Sequence, residues 1–119
     1  MAVTLLTNTA VTPVLAVNAQ TGTSYTFTLA DGNNTLVTLA NAAAIALTIP
    51  TNASVALPVG AILNFAQTGA GQVTLSGASG VTVTSTGGTA ATPKTRVQYS
   101  GATAIQTSAN NWLVLGDLA

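Results

Sequence analysis

Ala44-Ile45-Ala46-Leu47-Thr48-Ile49-Pro50 is the stretch that decides the fold class. Ile45, Leu47 and Ile49 alternate with Ala46 and Thr48. That period of two puts the large side chains on one face of a half-buried strand, and Pro50 ends it because proline cannot continue a ladder. Upstream, Tyr25, Phe27 and Leu29 alternate with Thr26 and Thr28 in the same way. Further strand-like runs cover residues 35–39, 62–67, 72–75, 81–84, 95–99, 103–107 and 111–115, rich in Val, Thr, Ile and Leu. The segment from Ala40 to Ala46 has some helix propensity, but the run that follows makes it a lead-in to a strand.

The punctuation between these runs points to hairpins. Asp31-Gly32-Asn33-Asn34 offers residues that tolerate positive φ, and Gly69-Ala70-Gly71 and the stretch from Gly77 to Gly80 do the same. Pro50 and Pro58 bracket an excursion that cannot belong to a central strand. Strands spaced by about ten residues predict an all-β fold, a single antiparallel β-sandwich or jelly-roll-like domain. Residues 1–18 stand apart as an extended apolar N-terminal arm or a first strand, and residues 19–119 form the sandwich. No fixed repeat period is visible. The Thr82, Thr84 and Thr86 array is therefore expected to face solvent or a neighbour rather than to stack into an ice-binding solenoid.

Composition narrows function by exclusion. The 119 residues contain no His, Cys or Glu, and the charged side chains are Asp31, Lys94, Arg96 and Asp117. Globular proteins carry roughly 25% charged residues, against 3% here. General acids, bases, nucleophiles and metal ligands come mainly from the missing types, so the chain is not expected to be an enzyme, and no cofactor or metal is implied. Asp31 with Asn33 and Asn34 supplies one carboxylate where calcium sites collect several, and reads as a turn. One Lys and one Arg at zero net charge give no nucleic-acid footprint. No run of 18 apolar residues suggests a membrane helix, and the N-terminal stretch lacks the basic start of a signal peptide. Near-zero charge also removes the repulsion that keeps small proteins apart. Working surfaces are then expected to be covered by copies or partners.

The contact candidates follow from that expectation. Val3, Leu5, Leu6, Pro13, Val14 and Leu15 make the N-terminal stretch a contact candidate that could lie along a neighbour or add a strand to an open edge. Lys94 and Arg96 share one face of the expected strand 95–99. They read as solubilising edge charges or as partners for Asp31 or Asp117. Tyr99 and Trp112 could stack on a sugar, although Trp112 lies in the apolar run Trp112-Leu113-Val114-Leu115 and reads as core.

The segment from Asp31 to Val83, with Lys94-Thr95-Arg96-Val97-Gln98-Tyr99-Ser100 and Trp112-Leu113-Val114-Leu115-Gly116-Asp117-Leu118, resembles a β-rich module of tailed-bacteriophage virion structural proteins. Pro58-Val59-Gly60 and Gly69-Ala70-Gly71-Gln72-Val73-Thr74 are its most specific strings, and the likeness runs from near Gln20 to Ala119. In that family the module ends long fibre or appendage proteins or forms short virion chains. The resemblance implies a capsid decoration (cement) protein on the virion surface, often trimeric, whose partners are the major capsid protein and its own copies. It also leaves open a receptor- or glycan-binding module of a tail fibre or spike.

Overall fold

The structure is a computed structural model and describes residues 14–87 and 89–119. Among these described residues nine strands follow in chain order: β1 Ala16–Gln20, β2 Ser24–Thr26, β3 Thr35–Leu39, β4 Ile45–Ile49, β5 Ile62–Gln67, β6 Val73–Gly77, β7 Thr82–Thr84, β8 Gly101–Ser108 and β9 Asn111–Gly116. A 3-10 turn spans Leu29–Gly32. The all-β expectation is met in content, but the antiparallel sandwich or jelly roll is not the architecture.

The first six strands alternate between two sheets. One sheet has the order β1-β3-β5-β8-β9-β7 and the other β2-β4-β6. Every pairing among β1 to β6 is parallel. The chain therefore winds as a short solenoid, each coil giving one strand to each sheet. Leu36 pairs with Asn64 and Ala46 with Thr74, a step of 28 residues in both sheets. The preceding step is shorter, from Ala16 to Thr35 in one sheet and from Ser24 to Ala46 in the other. Among the named strands, antiparallel pairing appears where β8 joins β5 and β9 returns along β8, with Asn110 at φ 61 in their turn.

The expected hairpins are consequently corners. Asp31 to Asn34 carries the chain from β2 across to β3 in the other sheet, and Gly69 to Gly71 carries it from β5 to β6. Both need residues that bend sharply, so the turn chemistry was right and its consequence wrong. At the β5–β6 corner the Gly71 N–H donates to the Asn41 carbonyl at 2.7 Å, and a Cβ on Gly71 would run into the Ala43 carbonyl. Asn41 ties the neighbouring corner down, donating to the Thr21 carbonyl and accepting from the Ala43 N–H. Residues 95–99 do not form the expected strand. They make isolated bridges and a turn.

The inward faces of the two sheets meet in one core. Val37, Leu39, Leu63, Phe65, Ala104, Trp112 and Val114 from the larger sheet pack with Ile45, Leu47, Ile49, Val73 and Leu75 from the smaller. Phe27 sits between, edge-on to Phe65 at 6.3 Å and to Tyr25 at 6.2 Å. Apolar area removed from water contributes about 25 cal/mol per Å², so aliphatic ranks supply most of the stability of a chain with five aromatic side chains.

Three polar side chains are buried within this core region for structural reasons. Gln106 donates to the Leu57 and Pro58 carbonyls at 2.8 Å and accepts from the Asn110 N–H, pinning the excursion between Pro50 and Pro58 onto β8. Gln67 accepts from the Thr95 hydroxyl and donates to the Gly69 carbonyl. Most buried polar groups are partnered in this way, and Trp112 Nε1 is an exception in this core.

Candidate interaction surface

The residues singled out from sequence fall into three groups. Val3, Leu5, Leu6 and Pro13 lie outside the described residues. Val14 and Leu15 are 81% and 45% exposed and lead into β1, at one edge of the larger sheet. Lys94 bridges to Thr74 at the outer side of β6, and Arg96 forms a two-bond fork with Asp117 at 2.7 and 3.0 Å. Arg96 thus has its partner within the chain. That pair sits at the surface, where screening leaves little stabilisation. The Arg96 hydrogen bond, then one from Ser100, hold the Asp117 carboxyl below the usual carboxylate range.

Asp31, read from sequence as part of a turn, lies in the 3-10 turn and is 1% exposed. Its carboxylate accepts from Tyr25 Oη at 2.6 Å, Asn18 Nδ2 at 2.9 Å, and the Thr28 N–H at 2.8 Å and hydroxyl at 3.2 Å. Gln20 extends the network by donating to Asn18. Four donors compensate the buried carboxylate without a cation. The network joins β1 and β2 to the 3-10 turn within the first coil. Burial pushes the Tyr25 hydroxyl up, helped by its hydrogen bond to Asp31 and that group's charge. Among the described residues, no three of His, Cys, Asp or Glu come together.

What remains is surface shape and chemistry. The outward side chains of the larger sheet form two ranks across its strands. Ile62, Ile105 and Leu113 lie side by side on β5, β8 and β9, continued by Thr84 on β7. Val17, Leu36, Asn64, Thr103 and Leu115 form the second, with Thr103 donating to Asn64 at 2.8 Å. Val17, Ile62, Leu113 and Leu115 are 63%, 46%, 36% and 51% exposed, and no charged residue interrupts either rank. An open depression of about 410 Å³ adjoins Ile62, lined by Asn34, Asn64, Pro58 and Val59. This face was not legible from sequence, because alternation along a strand does not say which strands become neighbours.

A second feature is the turn Val97-Gln98-Tyr99-Ser100, closed by Ser100 N–H donating to the Val97 carbonyl. Tyr99 is 76% exposed at φ 73, a conformation glycine adopts freely and a bulky residue rarely does. The Tyr99 N–H donates to the Gln67 carbonyl, Gln98 donates to the Thr68 carbonyl, and Ser100 Oγ donates to Asp117 at 2.7 Å. Trp112, the other aromatic considered for sugar stacking, is 1% exposed and belongs to the core.

No family model matches the chain, and no curated protein matches it. The functional reading therefore rests on these surfaces.

Proposed function

We infer that the protein is a structural component of a tailed-phage virion, a capsid decoration protein that stabilises the head by binding at joints between capsid subunits. The observation that carries this reading is the uncharged apolar face of the larger sheet. Six strands at about 4.8 Å spacing and five residues at about 3.3 Å give a footprint of roughly 450 Å². That is below the roughly 800 Å² per partner of a standard stable interface, so one contact is weak and repetition around a shell supplies the effect. Lack of charge suits a partner surface that is itself buried, because no ion loses its water on docking.

Purified protein mixed with undecorated heads tests the reading. The pair Ile62→Asp and Leu113→Asp puts two carboxylates on the exposed face without touching the core, and is expected to lower head occupancy at least tenfold. Unchanged occupancy would sink this face as the contact.

The Tyr99 turn favours a second reading, a receptor- or glycan-binding module of a tail appendage, since a rigidly held exposed aromatic is suited to stacking on a sugar ring. Copy number in purified virions separates the two. A ratio near one or one third of the most abundant head protein supports decoration, whereas a handful of copies supports the appendage.

A further inference from the structure

The two ends of the solenoid differ. Beyond β6 the smaller sheet is closed by the segment around Lys94: the Leu75 N–H donates to the Pro93 carbonyl and the Thr95 N–H to the Val73 carbonyl. The C-terminal residues then cover that segment, with the Ala119 N–H donating to the Lys94 carbonyl. Proline and lysine at this end are the usual devices that stop stray strand pairing.

At the other end, β1 and β2 are the first strands of their sheets. The Ala16 N–H donates to the Asn34 carbonyl and the Ala40 N–H to the Gln20 carbonyl, so even-numbered residues of β1 direct their backbone groups at β3. Val17 and Ala19 direct theirs away. In β2 the Thr23 carbonyl accepts from Ala46 and the Phe27 N–H donates to Thr48, which leaves Ser24 and Thr26 directed away. Among the described residues these outward backbone groups have no partner. No charged or proline residue lies within β1 or β2.

We propose that this end of the solenoid pairs with the same end of a second copy, extending both sheets through a two-fold join. A two-fold axis perpendicular to the sheets reverses strand direction while keeping each sheet in its own layer. It sets β1 antiparallel to the partner's β1 and, in the same operation, β2 antiparallel to the partner's β2. Facing residues in such pairs exchange both backbone bonds. The four residues Val17, Ala19, Ser24 and Thr26 of each copy then yield about eight hydrogen bonds, within the range of a specific interface. A second copy is the fitting occupant because the edge is uncharged and an isologous contact requires the same patch on both partners. The join uses backbone groups at the strand edges, and of its residues Val17 also lies in the outward ranks assigned to capsid contact, so Ala19→Pro is the variant that separates the two.

Sedimentation equilibrium of the isolated full chain reads the outcome. A dimer is expected, weakened at least tenfold by Ala19→Pro, which removes an outward N–H and no ladder bond, and by Val17→Lys, which sets like charges across the axis. Circular dichroism should be unchanged in both, and the dimer should survive Ile62→Asp with Leu113→Asp. A monomer or trimer in the wild type would overturn the proposal. So would a dimer lost with the sheet-face variant yet kept with Ala19→Pro, or a monomer that dimerises only after residues 2–13 are removed, which would show the edge covered within one chain.

Discussion

At Tyr25 and Tyr99 two tyrosines do opposite things. The Tyr25 hydroxyl donates to a buried carboxylate, and its pKa in the folded chain lies above the unfolded value near 10.0. The folded state therefore holds this proton more tightly than the unfolded chain, and the associated stability is present in full below pH 10 and is lost as pH rises through the raised pKa. Denaturation midpoints measured from pH 8 upward should fall beyond pH 10, and Tyr25→Phe should remove that component of the decline. A Tyr25→Phe variant with the same alkaline slope would show that the linkage lies elsewhere. Tyr99, by contrast, is held at positive φ with its ring in solvent, which costs on the order of 1–3 kcal/mol for a strained backbone position. Tyr99→Gly should raise the thermal midpoint by a few degrees, since the substitution relieves the strain and removes little packing. A lowered midpoint would mean that the ring contributes more contact than its exposure implies.

Among the elements, the corners matter as much as the strands. Gly71→Ala forces a methyl against the Ala43 carbonyl and is expected to cost about 1–3 kcal/mol, read as a lowered urea midpoint. A neutral result would show that the corner can shift without loosening β4 and β6. The strands themselves were readable: residues 35–39, 45–49 and 62–67 coincide with observed strands, because alternation depends only on one face being buried. Alternation says nothing about partner direction, and the glycines and asparagines that bend a hairpin also bend a corner. The 28-residue step escaped notice for a related reason. Val37 is stacked on Phe65, Leu39 on Gln67 and Ile45 on Val73, so the structural repeat conserves an inward direction and not an amino acid. The Asp31 network escaped because its members are scattered from Asn18 to Asp31 and look like polar loop residues until the first coil closes around them. Tyr99 and the apolar face required the fold before they could be placed.

For the whole molecule, the consequence of parallel winding is mechanical. Each coil of a solenoid is bonded to its neighbours along one axis, so a load applied at the β1 end and resisted at the C-terminal end meets the ladders one at a time. Such a load unzips hydrogen bonds in sequence instead of shearing a whole sheet at once. Stretching the chain between its ends should give successive extensions. The release of one 28-residue coil would add about 95 Å of chain at the reach of an extended backbone. The β8–β9 pair, joined antiparallel to β5 and buried through Trp112 and Val114, should yield last. On a surface that swells, a protein built this way would lengthen stepwise under strain while its far end kept its grip.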